Sequence, residues 1–134
     1  MENKKYDLED RLVEYGCRMI DVVETLPSTR AGNYIAGQLI KCCLSPAFNY
    51  GEVQAAKSRN DFIHKLGVVL KELKECRTAL KLIRQKELIK PINRIDEIFK
   101  VTEELIATVA KSIDVHGAKR TGYSDALRSG EKLT

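Results

Sequence analysis

Residues 62–83, FIHKLGVVLKELKECRTALKLI, decide the fold that this sequence predicts. Apolar side chains recur there at alternating steps of four and three residues: Phe62, Leu66, Val69, Leu73, Cys76, Leu80 and Ile83. Such spacing places them on one face of an α-helix. Ser58 can cap the N-terminus of this helix, and Asp61 three residues later makes a weak variant of the capping box. The stretch therefore predicts a long amphipathic helix that opens at Ser58.

Two further segments carry the same periodicity. Residues 7–25 predict a first helix with an acidic start, and its stripe is Leu8, Leu12, Tyr15, Met19, Val22 and Leu26. A last helix is predicted to start near Pro91, because proline suits a first helical position. The stripe of this last helix is Ile92, Ile95, Phe99, Thr102, Ile106, Val109 and Ile113.

The second helix, predicted over about residues 29–52 after a cap at Ser28 or Thr29, is unusually apolar. Its polar residues after Tyr34 form one thin line: Gln38, Lys41, Ser45, Asn49 and Glu52. A helix that is apolar nearly all round is buried on more than one side. We therefore expect sister copies of the chain to cover Ala36, Ile40, Ala47 and Phe48.

Two residues in the second helix predict local irregularity. Pro46 removes a backbone hydrogen bond and predicts a kink or an early end. Gly51 is a candidate for the left-handed conformation near the helix end. A membrane span is disfavoured, because four polar or helix-breaking residues within some twenty positions make insertion costly: Lys41, Pro46, Asn49 and Glu52.

The chain thus predicts an all-α, antiparallel up-down-up-down four-helix bundle over residues 1–113, followed by a flexible or adaptable C-terminal tail over residues 114–134. The 134 residues suit one domain, and three Pro, eight Gly and no Trp argue against a sandwich or barrel. The four cysteines, Cys17, Cys42, Cys43 and Cys76, lack metal-ligand spacing and are expected in the core of a cytoplasmic protein without metal or cofactor.

Catalytic patterns are sparse. Glu72 and Glu75 form a carboxylate pair at i, i+3, with His64 and Lys65 two turns earlier, and such a pair could act as acid and base. Alternating Lys and Glu more often form a solvated or mutually neutralised face, so no enzyme is expected. Lys65 and Glu72 lie at the edge of the apolar stripe, where Asn49 or Glu52 of the second helix could be their partners.

A basic ridge is the more specific feature: Lys74, Arg77, Lys81 and Arg84. The net charge of +4 is local, since residues 58–88 carry eight basic and four acidic side chains. A local positive surface is what phosphate contacts require. The alternative is that the ridge only solubilises the helix, and no aromatic side chains interleave with it for base stacking.

Part of the chain resembles a known family. The residues that carry the likeness are Leu26-Pro27, Gln38-Leu39, Ser45-Pro46, Asn49-Tyr50-Gly51-Glu52, Ser58, Asp61-Phe62-Ile63-His64-Lys65-Leu66, Leu70-Lys71-Glu72-Leu73 and Glu75. They resemble the bacterial four-helix-bundle proteins first noticed as reading frames in intervening sequences of large-subunit ribosomal RNA. The likeness covers roughly residues 6–113. The sequence departs from that pattern in lacking Trp and in having Cys42-Cys43 where small or hydroxyl residues are frequent.

The resemblance implies a homopentamer, because that family is similar in fold to the accessory protein of diversity-generating retroelements. That accessory protein forms a basic pentameric barrel and engages nucleic acid and a reverse transcriptase. The expected function is a non-enzymatic homo-oligomeric bundle that binds RNA or DNA through the basic ridge. The alternative is an oligomeric scaffold for a protein partner.

Overall fold

The computed structural model describes residues 7–118, which form four α-helices and a short 3-10 turn and contain no strand. The helices are α1 (Leu8–Thr25), α2 (Arg30–Gln54), α3 (Arg59–Gln85) and α4 (Asp96–Ala118). Each helix packs against the next along the chain, and α1 also contacts α4. The predicted all-α four-helix bundle is confirmed.

Side-chain caps begin three of the helices, and two of them, at Thr29 and Ser58, are at positions that the sequence predicts. Asp7, Thr29 and Ser58 each accept a hydrogen bond from the backbone N–H three residues further on, at 2.9–3.0 Å. A cap of this kind satisfies one of the free donors of the first helical turn. The starts of α1, α2 and α3 therefore follow from local sequence.

Helix α2 runs slightly further than its sequence predicts. It continues through Pro46 and ends at Gln54, so of the two outcomes predicted at Pro46, a kink or an early end, the early end is wrong. Pro46 is buried among the neighbouring helices, which stabilise the helix around it. Gly51 lies within α2, and no glycine of residues 7–118 has a positive φ, so the left-handed conformation expected there is also wrong.

The start of α4 lies later than predicted. Pro91 precedes a 3-10 turn over Ile92–Ile95, and α4 proper begins at Asp96. Ile89 and Ile95 are buried beside this connection. The connection therefore closes one end of the core before the α-helix begins.

Helix α4 runs past the predicted boundary at residue 113 and ends at Ala118. Tertiary contacts stabilise the added turn: the His116 ring lies 4.5 Å from the Phe62 ring, and Arg59 Nη1 donates to the His116 carbonyl oxygen at 3.3 Å. Nothing in residues 114–116 continues the apolar stripe, so periodicity alone does not reveal this turn. The rest of the predicted tail, residues 119–134, lies outside the described residues.

The core is almost wholly apolar. Its largest fully buried side chains are Tyr15, Leu12, Met19, Leu39, Leu66, Leu73, Leu80, Ile83, Ile95, Leu105, Val53 and Val69. Among residues 7–118 one polar pair crosses it, since the Tyr15 hydroxyl and Thr102 Oγ1 lie 2.6 Å apart and Thr102 also donates to the Ile98 carbonyl. This pair joins α1 to α4 and satisfies two buried hydroxyls.

Three of the four cysteines are in the core, as predicted, but Cys17 is exposed. Cys17 lies between Tyr15 and Met19, the stripe positions of α1, so its side chain points away from the bundle axis. The prediction of a core position was based on composition and is wrong for this residue.

Candidate nucleic-acid and self-association surfaces

The basic ridge predicted on α3 is divided by its contacts with α4. Arg77 Nη1 lies 4.0 Å from Glu103 Oε2, and Arg84 Nη2 lies 3.6 Å from Asp96 Oδ1. The Arg84 guanidinium also lies 4.1 Å from the centre of the Phe99 ring, a cation–π distance. The two arginines therefore join α3 to α4.

The two lysines of the ridge remain on the surface. Lys74 and Lys81 are both exposed, and within residues 7–118 neither has a carboxylate oxygen within 4.0 Å of its ammonium group. Lys71, one turn before Lys74, lies 3.6 Å from Glu75. Lys74 and Lys81 are thus the ridge cations that can contact a phosphate without first breaking an ion pair.

Lys65 and Asn49 make contacts of two kinds, ion pairs that include one between helices and a hydrogen bond within one helix. Lys65 Nζ lies 3.5 Å from Glu52 Oε1 and 3.7 Å from Asp61 Oδ1, so the predicted Lys65–Glu52 contact between α3 and α2 is confirmed. Asn49 donates to Ser45 Oγ at 2.7 Å, which keeps its amide on its own helix. Asn49 is therefore the partner of neither Lys65 nor Glu72 in the contacts of residues 7–118.

Glu72 lies beside an open groove between α2 and α3. Burial raises the pKa of its carboxyl, and the neighbouring Glu75 raises it further, while Lys71 at 3.9 Å opposes the shift. His64 is exposed and lines a different depression, next to Asn60 and Gly67. The structure therefore does not bring the His64 imidazole to the carboxylate pair.

The groove beside Glu72 has a volume of about 610 Å³ and a mixed lining. Its residues include Gln38, Lys41, Ser45, Phe48 and Glu75. Residues 7–118 hold no group of three or more His, Cys, Asp or Glu that could ligate a metal ion. No helix in the same residues is long and apolar enough to cross a bilayer.

The neighbours of α2 within the chain cover most of its apolar surface. Ala36, Ile40 and Ala47 are half-buried, and Ile40 and Ala47 pack against the core. Phe48, in contrast, is 78% exposed, and Tyr34 is 68% exposed. Helices α1 and α3 flank α2 on two sides, which accounts for an apolar pattern wider than one face.

An exposed stripe, which we call the outer stripe, runs along the solvent side of α2: Tyr34, Gly37, Lys41, Phe48 and Gly51. Phe48 follows Gly37 by eleven residues, about three helical turns, so the two lie on one face. A Cβ atom added at Gly37 or Gly51 would meet nothing within 4 Å. The signal in the sequence is two glycines inside α2, Gly37 in its middle and Gly51 in its last turn, that no packing inside the chain explains. A glycine in a helix interior costs about 1 kcal/mol relative to alanine.

Comparison with known proteins gives a structural likeness. No protein-family model matches the chain, and no curated protein matches it. A crystal structure of a protein of unknown function from the S23 ribosomal protein family of Bacteroides thetaiotaomicron VPI-5482 superimposes with a TM-score of 0.73, at 25% sequence identity. The match covers 80% of this chain and 98% of that one. The chain is therefore similar, over most of its length, to a helical protein assigned to that family.

Proposed function

We propose that this protein is a non-enzymatic homo-oligomer of the ribosomal RNA intervening-sequence kind, a pentamer, that binds RNA or DNA through lysines on α3. The likeness to the S23 family structure supports the family assignment, and the resemblance of residues 49–75 supports the number five. The outer stripe of α2 is the observation that carries the self-association.

Burial of the outer stripe is favourable on simple grounds. Phe48 is 78% exposed, and complete burial of a phenylalanine side chain contributes about 1.5–3 kcal/mol. Gly37 and Gly51 let the backbone of another helix approach closely, which explains glycine at positions where the isolated chain has open space. A second copy that packs on this stripe would therefore bury its exposed aromatic rings and approach its two glycines.

The charge distribution supports binding of a polyanion. Each chain carries a net charge of +4, and a ring multiplies this charge and the number of exposed Lys74 and Lys81 side chains. Several weak phosphate contacts displayed together strengthen one another through effective concentration. Assembly and nucleic-acid binding are therefore parts of one function.

Light scattering tests the assembly, and Phe48→Glu is expected to dissociate it. The wild type is expected at five times the chain mass of 15.1 kDa. A carboxylate buried in the contact would be strongly unfavourable, whereas in the isolated chain position 48 faces water. Val115→Glu is the control, since Val115 is 47% exposed on α4, which is not a neighbour of α2 along the chain. A monomeric wild type, or equal dissociation by both variants, would contradict the proposal.

Salt titration of binding to generic RNA and duplex DNA tests the second part. The double variant Lys74→Glu/Lys81→Glu is expected to weaken binding about tenfold and to reduce the salt slope by about two per bound chain. Its matched control is Lys100→Glu/Lys111→Glu, which reverses two exposed lysines on α4 and changes the net charge equally. Equal loss in both double variants would show that net charge, and not the α3 surface, causes binding. An assembly that binds no nucleic acid at low salt would instead indicate a scaffold for a protein partner.

A further inference from the structure

Two buried thiols face each other across the contact between α2 and α3. Cys42 is 3% exposed and Cys76 is fully buried, and their sulfur atoms lie 3.4 Å apart. Cys76 donates its S–H to Cys42 Sγ, while Cys42 points its own S–H at the Leu39 carbonyl oxygen at 3.7 Å. The pair is therefore already in direct contact, with one sulfur acting as acceptor for the other.

We propose that Cys42 and Cys76 are a redox-sensitive pair, which hydrogen peroxide converts into a disulfide that cross-links α2 to α3. A disulfide bond is about 2.0 Å long, so the two sulfur atoms must approach by about 1.4 Å. This movement is shared between two helices and the rotation of two cysteine side chains. The proposal depends only on this contact and is independent of self-association.

The oxidation is balanced by peroxide alone. Cys42 Sγ, after losing its proton, attacks one peroxide oxygen, so that an S–O bond forms and the O–O bond breaks. The released hydroxide takes up the proton and leaves as water. Cys76 Sγ then attacks the Cys42 sulfur, the S–S bond forms, the S–O bond breaks, and hydroxide leaves with the Cys76 proton as a second water. The two sulfur atoms together lose two electrons, and the peroxide gains them.

The surroundings assign different parts to the three core thiols. The hydrogen bond from Cys76 lowers the pKa of Cys42, which favours Cys42 as the attacking sulfur. The same contact and burial raise the pKa of Cys76, which makes it the second partner. Burial raises the pKa of Cys43 to about 12, and its S–H points back at the Ile40 carbonyl at 3.8 Å. Cys43 is therefore expected to stay reduced although it is next to Cys42 in sequence.

Peroxide treatment of the reduced full-length protein, followed by acid quenching and blocking of free thiols, tests the pair. Before blocking, the intact mass is expected to fall by two hydrogen atoms, and after blocking the oxidised chain is expected to carry two blocking groups fewer than the reduced chain. A non-reducing tryptic digest is expected to join peptide 42–57 to peptide 75–77. The cross-link closes a loop of about 35 residues, which is expected to raise the melting temperature by about 10 °C until a thiol reductant is added.

Variants identify which thiols react. Cys17→Ala removes the exposed thiol and with it disulfides between chains. The other cysteine variants are made in the chain that carries this substitution. Cys43→Ala is expected to keep the cross-link, whereas Cys42→Ala is expected to lose it. A cross-link that survives Cys42→Ala, or a wild type in which peroxide modifies only Cys17, would overturn the proposal. The digest of the folded wild type shows by itself whether peroxide modifies only Cys17. This outcome therefore does not depend on the stability of any variant.

Discussion

Leu80→Ala is expected to lower the free energy of unfolding by about 3 kcal/mol and the melting temperature by roughly 10 °C. Leu80 is fully buried in the stripe of α3, which packs against both α2 and α4. Removal of its outer carbon atoms loses their burial and leaves a cavity, because the surrounding helices relax only in part. Chemical denaturation followed by circular dichroism measures the change.

Leu82→Ala is the matched control for this prediction. Leu82 lies two residues further along α3 and is 49% exposed. The same atoms are removed from the same helix, so differences in helix propensity cancel, and a change within about 0.5 kcal/mol is expected at a surface position. Equal destabilisation by both variants would show that the side of α3 assigned to the core is wrong.

Gly32→Ala is expected to destabilise the protein by about 2 kcal/mol, against the usual benefit of alanine in a helix. A Cβ atom at position 32 would overlap the Pro27 carbonyl oxygen. That oxygen belongs to the backbone of the link between α1 and α2, so relief of the overlap must move the link itself. The N–H of Gly32 is also the donor to the Thr29 cap, and the same shift would weaken that bond.

Gly67→Ala supplies the contrast. Gly67 lies in α3, and a Cβ atom added there would meet nothing within 4 Å. The substitution is therefore expected to stabilise the helix by about 0.5–1 kcal/mol, as alanine does where the backbone conformation is compatible. Opposite signs for the two variants in thermal unfolding would support the close contact at Gly32. A stabilising Gly32→Ala would contradict it.

The candidate sites were predictable from the sequence only in part. Helical periodicity places Lys74, Arg77, Lys81 and Arg84 on one ridge. It does not show that the two arginines pair with α4 while the two lysines stay exposed. Glu103, a carboxylate of another helix, approaches Arg77, and this depends on how α4 packs on α3. The contact between Lys65 and Glu52 could be predicted because both flank apolar stripes of neighbouring helices.

The sequence alone determined that four helices form, the caps at Thr29 and Ser58, and the buried sides of α1, α3 and α4. These features depend on local hydrogen bonds and on a period of 3.6 residues, both of which are written in neighbouring positions. Tertiary structure alone decided that Arg77 and Arg84 pair with α4 and that Cys42 meets Cys76. It also decided that Phe48 remains in water. Each of these features depends on which residue of another helix lies opposite in space, and the packing of whole helices determines which residue that is.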